Sequence, residues 1–150
     1  MSYYLFLDDS RKPREVDWVK LPDNVHWEIA KSYDEFVTMI RKLGVPKYVT
    51  YDCDLCDEHY QGYFNLKERY ILEYKRFKSK CGIECVEHLL KVCKEKGTKH
   101  PEYEVHTKNH YAEWFMRNLI QFHNGENKSP IYARPSGSIL SDASDFSQAS

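Results

Sequence analysis

Four aspartates fall in two closely spaced pairs, and each pair follows a short apolar segment. Asp8 and Asp9 come directly after YYLFL, and Asp52 and Asp54 follow KYVTY. Carboxylates at close range repel one another unless a cation or a shared proton lies between them. Hard divalent cations prefer such oxygen ligands. The pairs therefore predict a site for Mg²⁺ or Mn²⁺, or a shared proton, although any single aspartate is explained as well by a helix cap or a solvated loop.

A second group of polar residues follows another apolar segment, YEVHT. His106, Thr107 and Asn109 lie at its end, and Arg11 lies just past the first acidic pair. An imidazole exchanges protons near neutral pH, and a hydroxyl or amide can hold phosphate oxygens without adding charge. A guanidinium can bind a phosphate bidentately. These residues predict acid–base chemistry on a phosphate, with a structural histidine and an exposed loop arginine as the alternatives.

The cysteines raise a rival hypothesis, because two short-spaced pairs can build a tetrahedral zinc site. The residues concerned are Cys53, Cys56, Cys81 and Cys85. Against this hypothesis, free cysteine commonly packs as a small apolar residue, and several of these positions fall in predicted buried elements. The chain has 5 cysteines and no secretory context, so we expect reduced thiols.

Apolar patterns predict the elements that position these residues. Strands are predicted over 3–7, 26–30, 47–51 and 103–107. Helices are predicted from a capping box at Ser32 to Leu43, from Gly82 onward, and from His110 to His123. This order favours a parallel sheet with crossover helices. Ligands collect at the carboxyl ends of such strands, so the two acidic pairs meet if strands one and three are neighbours.

Residues 57–80 are predicted as one inserted helix near this site. The aromatic and apolar residues of this segment share one helical face, and lysines and arginines crowd the remainder. The basic side is interpreted in two ways. It is either a phosphate-attracting lid, with Lys67 and Lys75 as substrate-binding residues, or a solvated face on a packing helix.

The length of 150 residues predicts one domain, here over 1–123. Residues 124–150 are rich in Ser, Gly, Pro and Asp and are predicted as a flexible or extended tail, in which 131–133 offers a short edge strand. No apolar run reaches membrane-spanning length, and the first residues lack the order of a signal peptide, so we expect a soluble, cytoplasmic protein.

Composition leaves the ligand class open. The chain has 22 basic and 23 acidic residues, a balance that argues neither for nor against nucleic acid. Its 12 tyrosines suit ring stacking, or, more simply, the filling of a small core with the hydroxyls at the rim.

Four short blocks, taken in order, resemble the cyclic-phosphate processing receiver domain family. The blocks are LFLDDSRKP, YDCDL, GIECVEHLL and VHTKN followed by a helix. The resemblance implies a reduced flavodoxin-like α/β fold, with a parallel sheet of four or five strands and flanking helices. It also implies acidic residues around a divalent ion and a role in processing cyclic phosphates on nucleotides or RNA ends.

Carried over by position, the resemblance assigns the family's acidic pairs and its HSxN-like element to residues already singled out: Asp8, Asp9, Asp52, Asp54, His106, Thr107 and Asn109. Three positions depart from the family pattern. Cys53 replaces a usual His, Cys56 a usual Gly, and His110 a usual Pro. No Lys closes a fifth strand as in phosphate-accepting receivers, which disfavours histidine-kinase signalling through Asp52.

Two functions from different classes fit these observations. In the first, a metal-dependent phosphodiesterase acts on a cyclic phosphate: Asp8, Asp9 and Asp52 hold the cation and Asp54 is a ligand or base. In this hypothesis His106 protonates the leaving oxygen, and Thr107 and Asn109 orient the phosphate. In the second, the chain is a non-catalytic module that binds a nucleotide signal or a protein partner, which the replaced His and the long insert favour.

Overall fold

The computed structural model describes residues 2–126, and within them four strands form one parallel sheet. The strands are β1 (Tyr4–Leu7), β2 (Trp27–Ala30), β3 (Tyr48–Tyr51) and β4 (Glu102–Val105), in the order β2-β1-β3-β4. β1 and β3 are neighbours, with Leu7 opposite Tyr51. Their carboxyl ends therefore lie at one level, directly before Asp8 and Asp52, as the sequence predicts.

In the described part of the chain, five helices accompany the sheet: α1 (Tyr33–Leu43), α2 (Asp57–Leu66), α3 (Tyr70–Glu73), α4 (Gly82–Lys96) and α5 (His110–His123). The Ser32 side chain accepts a hydrogen bond from the Glu35 amide at the start of α1, as the capping box predicts. α4 ends at Gly97, whose left-handed φ of 69° suits glycine. The predicted flavodoxin-like α/β fold is confirmed.

The core lies between one face of the sheet and the helices. Leu5, Leu7, Val49 and Tyr51 are fully buried in β1 and β3, because central strands of a parallel sheet are covered. Apolar residues of α1 and α4 pack against them: Phe36, Ile40, Ile83, Val86 and Leu89. This packing holds the carboxyl ends of the strands in a common, rigid frame.

The insert is not the single helix predicted for residues 57–80. α2 ends at Leu66, Lys67 adopts a φ of 53°, and short 3₁₀ turns flank α3. A continuous helix over this segment would be about 36 Å long and could not fold back on itself. The break allows the Phe77 ring to pack 5.1 Å from the ring of His59 on α2. Burial of aromatic surface therefore overrides the helical periodicity.

Part of the prediction lies outside the described residues. This part is the tail over 127–150, including the predicted edge strand at 131–133. Over residues 2–126, no helix combines the length and the apolar character that crossing a membrane requires. β4 ends at Val105, so His106 and Thr107 begin the loop that follows it.

Candidate functional site

Three of the four predicted aspartates come together at the carboxyl edge of the sheet. Carboxylate oxygens of Asp8, Asp9 and Asp52 lie within 4.8 Å of one another. The sheet ladder sets this arrangement, since the Asp52 amide donates to the Leu7 carbonyl at 2.9 Å. Asp8 and Asp52 are buried and Asp9 is half-buried. We call these three residues the acidic site.

Asp8 is fully buried, and both of its carboxylate oxygens have hydrogen-bond partners within the protein. Its Oδ1 accepts from the amides of Ser10 and Arg11, at 3.0 and 2.8 Å, and its Oδ2 lies 3.0 Å from His106 Nε2. Burial acts to raise the pKa of Asp8, but the hydrogen bonds from His106 and the two amides outweigh it and lower that pKa. Asp8 therefore carries a charge near neutral pH.

Asp52 has the opposite character. Its Oδ1 accepts from the Cys53 amide at 2.7 Å, whereas its buried Oδ2 has no hydrogen-bond partner among residues 2–126. Burial, and next the charge of Asp8, raise the pKa of Asp52 to about 8. A buried oxygen without a partner is rare in folded proteins and requires an explanation. A proton on Asp52, or a cation bound to it, would explain the missing hydrogen bond of Oδ2.

The donor set fits a hard divalent cation. It consists of carboxylate oxygens, which Mg²⁺ and Mn²⁺ prefer. The carboxylate oxygens lie within 4.8 Å of one another, so one small ion could contact all three residues. The Oδ2 of Asp52 makes no hydrogen bond with residues 2–126 and is therefore available to such an ion. Asp8, Asp9 and Asp52 are thus the residues that would hold such an ion.

A cationic rim borders the acidic site. Arg11 Nη1 lies 3.2 Å from Asp8 Oδ2 and 3.7 Å from Asp52 Oδ2. The Trp18 ring contacts both Arg11 and Lys108, at 5.1 and 4.2 Å from its centroid. The indole in turn donates to the His106 carbonyl at 2.8 Å. Trp18, which the sequence analysis missed, thus contacts Lys108 as well as Arg11, the cation that lies beside the carboxylates.

His106 is fully buried and uses both ring nitrogens within the protein. Nδ1 lies 2.7 Å from Thr50 Oγ1, Nε2 lies 3.0 Å from Asp8 Oδ2, and the ring stacks on Phe6 at 4.7 Å. Burial lowers the pKa of His106. A neutral ring with its proton on Nε2 donates to Asp8 and accepts from the Thr50 hydroxyl. The imidazole therefore orients Asp8 and has no nitrogen free to meet a substrate in this geometry.

Asp54 lies beside the acidic site in a hydrogen-bonded setting of its own. Its Oδ1 accepts from the Tyr70 hydroxyl at 2.6 Å and from Asn109 Nδ2 at 3.3 Å. Burial raises the pKa of Asp54, and these two hydrogen bonds oppose the rise. Asn109 Oδ1 also accepts from the Ala112 amide to cap α5, and Thr107 Oγ1 accepts from the Asn109 amide. Thr107 and Asn109 thus build the loop that orients Asp54.

The start of α4 packs closely against the backbone of Asp52 and Cys53. The Gly82 amide donates to the Cys53 carbonyl at 2.9 Å. A Cβ at Gly82 would lie 2.0 Å from the Asp52 carbonyl oxygen and 2.7 Å from the Cys53 Cα. Only glycine therefore allows α4 to approach the segment that carries Asp52 and Asp54.

One protein family matches nearly all of the described residues. The model of the Cyclic-phosphate processing Receiver domain family matches residues 3–122, which include Asp8, Asp9, Asp52, Asp54 and the insert. The chain belongs to this family. The resemblance given by the four sequence blocks is thereby confirmed, and the family's name connects the chain with cyclic-phosphate processing. No curated protein and no solved structure matches it.

Two tyrosine hydroxyls of the insert donate hydrogen bonds to the aspartates of this receiver domain. Tyr60 donates to Asp9 Oδ1 at 3.2 Å, and Tyr70 donates to Asp54 as described above. Of the two predicted substrate-binding lysines, Lys67 is exposed, and Lys75 pairs with Glu87 at 3.0 Å. Sequence analysis placed Tyr70 only on an apolar face and did not single out Tyr60, since nothing local indicates where a tyrosine hydroxyl is directed.

The zinc alternative finds little support in the receiver domain. Cys53, Cys81 and Cys85 are buried among apolar residues, and the four predicted cysteines form no ligand group within 2–126. Cys56 does lie near Glu58 and His59. Both nitrogens of His59 are engaged, however, with the Leu55 amide at 2.9 Å and the Ser79 carbonyl at 2.8 Å.

Proposed function

We propose that this receiver domain is a divalent-metal-dependent phosphodiesterase or phosphatase that acts on a cyclic phosphate of a nucleotide or RNA end. The observation that carries the proposal is the acidic site, where an ionised Asp8 lies near Asp52, whose buried Oδ2 makes no hydrogen bond within residues 2–126 and has only the Arg11 guanidinium at 3.7 Å. The family to which the chain belongs supports the cyclic phosphate as the reacting group.

Asp8, Asp9 and Asp52 would hold Mg²⁺ or Mn²⁺. Such an ion, when bound, polarises phosphoryl oxygens and lowers the pKa of a coordinated water. Asp9 is the most exposed of the three, and its contact with Tyr60 fixes its direction. His106 acts as a positioning residue, because it holds Asp8 through Nε2 while Thr50 holds the ring.

Arg11 and Lys108 are the positive groups that would receive the phosphate. The Arg11 side chain is 26% exposed and uses Nη1 toward the carboxylates, so its remaining N–H groups can bind phosphate oxygens. Asp54 is the candidate proton acceptor. Its raised pKa suits proton transfer closer to neutral pH than an ordinary aspartate allows, and Tyr70 and Asn109 set its direction.

The proposal is tested by turnover in the presence of Mg²⁺ or Mn²⁺ and in EDTA. The substrates are cyclic mononucleotides, cyclic oligonucleotides and RNAs that end in a 2′,3′-cyclic phosphate. We expect metal-dependent opening of the cyclic phosphate, abolished by Asp52→Asn and retained by Asp23→Asn, which removes an exposed loop carboxylate. Absence of turnover on every substrate by folded protein would refute the proposal.

A second candidate is a module that binds the same ligand without cleaving it. Two observations favour it: Cys53 stands where the family usually has His, and the side chains of His106 and Asn109 are both engaged within the protein. Mass spectrometry of the ligand recovered from a tight complex separates the two. An unchanged ligand supports binding, and a ring-opened phosphate supports catalysis.

A further inference from the structure

Four aromatic rings form a contiguous surface beside the acidic site. They belong to Tyr63 and Phe64 on α2 and to His110 and Tyr111 at the start of α5, and we call them the aromatic cluster. Ring centroids are 6.1 Å apart for Tyr63 and Phe64, 6.1 Å for Tyr63 and Tyr111, and 4.1 Å for His110 and Tyr111. Tyr63 Oη lies 3.1 Å from His110 Nδ1, which links the two helices.

The aromatic cluster is anchored to the acids at both ends. Tyr60 precedes Phe64 by about one turn of α2 and bonds Asp9. On the other side, Asn109 directly precedes His110 and bonds Asp54. The charge of Asp54 also contributes, after burial, to a raised pKa of Tyr63, which agrees with their proximity. The helices that carry these rings are therefore tied to Asp9 and Asp54 through neighbouring residues.

The aromatic cluster is open to solvent. Phe64 is 70% exposed, His110 is exposed, and Tyr63 and Tyr111 are half-buried. A single exposed apolar side chain is ordinary, but contiguous exposed aromatic surface commonly marks a binding site. The Trp18 ring differs from these rings, because it contacts two cations, Arg11 and Lys108.

The chemistry of these rings suits a planar partner. Bases stack on aromatic side chains with little dependence on sequence, because every base has a π-face. A His N–H and Tyr hydroxyls at the same surface can also hydrogen-bond base edges. The acidic site and Arg11 would take the phosphate of the same ligand.

We propose that Tyr63, Phe64, His110 and Tyr111 form a nucleobase subsite. The ligand is then a nucleoside cyclic phosphate, free or at the end of an RNA, whose base stacks on the aromatic cluster. The placement of the phosphate rests on the proposed function. The stacking contact itself does not depend on whether the phosphate is cleaved.

The test compares base-bearing and base-free forms of one reacting group. The probes are adenosine 2′,3′-cyclic phosphate, an RNA ending in the same group, and methyl riboside 2,3-cyclic phosphate, which has no base. For Phe64→Ala and Tyr111→Ala we expect the ratio of base-bearing to base-free kcat/KM to fall about tenfold. The matched control is Phe122→Ala, a 53% exposed phenylalanine near the far end of α5, which should leave the ratio unaltered.

The outcomes separate this inference from the proposed function. An equal fall on both kinds of probe, or a wild-type protein that does not distinguish them, overturns the base subsite while turnover stands. If no probe is turned over, calorimetric binding of adenosine 2′,3′-cyclic phosphate decides. Binding weakened by Phe64→Ala supports the subsite in a non-catalytic protein, and absence of binding overturns it. A preference between the RNA and the mononucleotide identifies the source of the base.

Discussion

Replacing Asp52 by Asn tests the electrostatics of the acidic site. The substitution keeps the shape of the side chain, removes its charge and supplies an amide where the unpartnered Oδ2 lies. In metal-free wild-type protein, the pKa of Asp52 rises from 3.8 to about 8, first through burial and then through the charge of Asp8. Between these values the native state holds a proton that the unfolded state releases.

This difference sets the sign and size of the effect. Since the native state binds more protons, the unfolding free energy of the wild type falls as pH rises, by about 1.4 kcal/mol per unit for one proton. The contribution is complete below the unfolded pKa and is lost as pH passes through about 8. Because Asn does not titrate, Asp52→Asn removes the contribution of residue 52 to the slope of the unfolding free energy against pH. From about pH 5 to 8 the variant gains roughly 4 kcal/mol relative to the wild type.

Urea unfolding in EDTA over this pH range measures the two slopes. Asp23→Asn, at an exposed loop position, is the control and should keep the wild-type slope. Added Mg²⁺ or Mn²⁺ should stabilise the wild type near pH 8 and leave Asp52→Asn unaffected, because binding to the native state alone raises the unfolding free energy. Parallel wild-type and Asp52→Asn slopes would refute the reasoning.

Three further substitutions address the support of the site. Gly82→Ala places a Cβ against the Asp52 backbone, so we expect the free energy of unfolding in urea to fall by about 3 kcal/mol or more. A fall of less than about 1 kcal/mol would contradict the close approach. Asn109→Ala removes the cap of α5 and should cost about 1 to 2 kcal/mol, measured in the same way; no loss would show that the cap contributes nothing. His106→Gln should weaken Mn²⁺ binding about 10- to 100-fold by calorimetry, since it frees Asp8, and unaltered affinity would exclude the positioning role.

Local sequence determined the elements and the location of the acids. Strand and helix positions follow from alternation, capping and glycine signals over a few residues, and the capping box at Ser32 is an example. The sequence predicted the meeting of Asp8 with Asp52 on the condition that the first and third strands are neighbours. The structure meets this condition, because β1 pairs with β3 and the acids directly follow these strands.

Only the tertiary structure decided what each polar group does. His106 pairs with Asp8 across 98 residues and with Thr50 across 56, and on this ground we propose it as a positioning residue instead of the acid that the sequence predicts. The break at Lys67 likewise reflects packing of the insert on itself. Side-chain direction depends on contacts between elements that are distant in the chain. No local periodicity encodes those contacts, and for this reason the hydroxyls of Tyr60 and Tyr70 emerge as part of the site only in the folded domain.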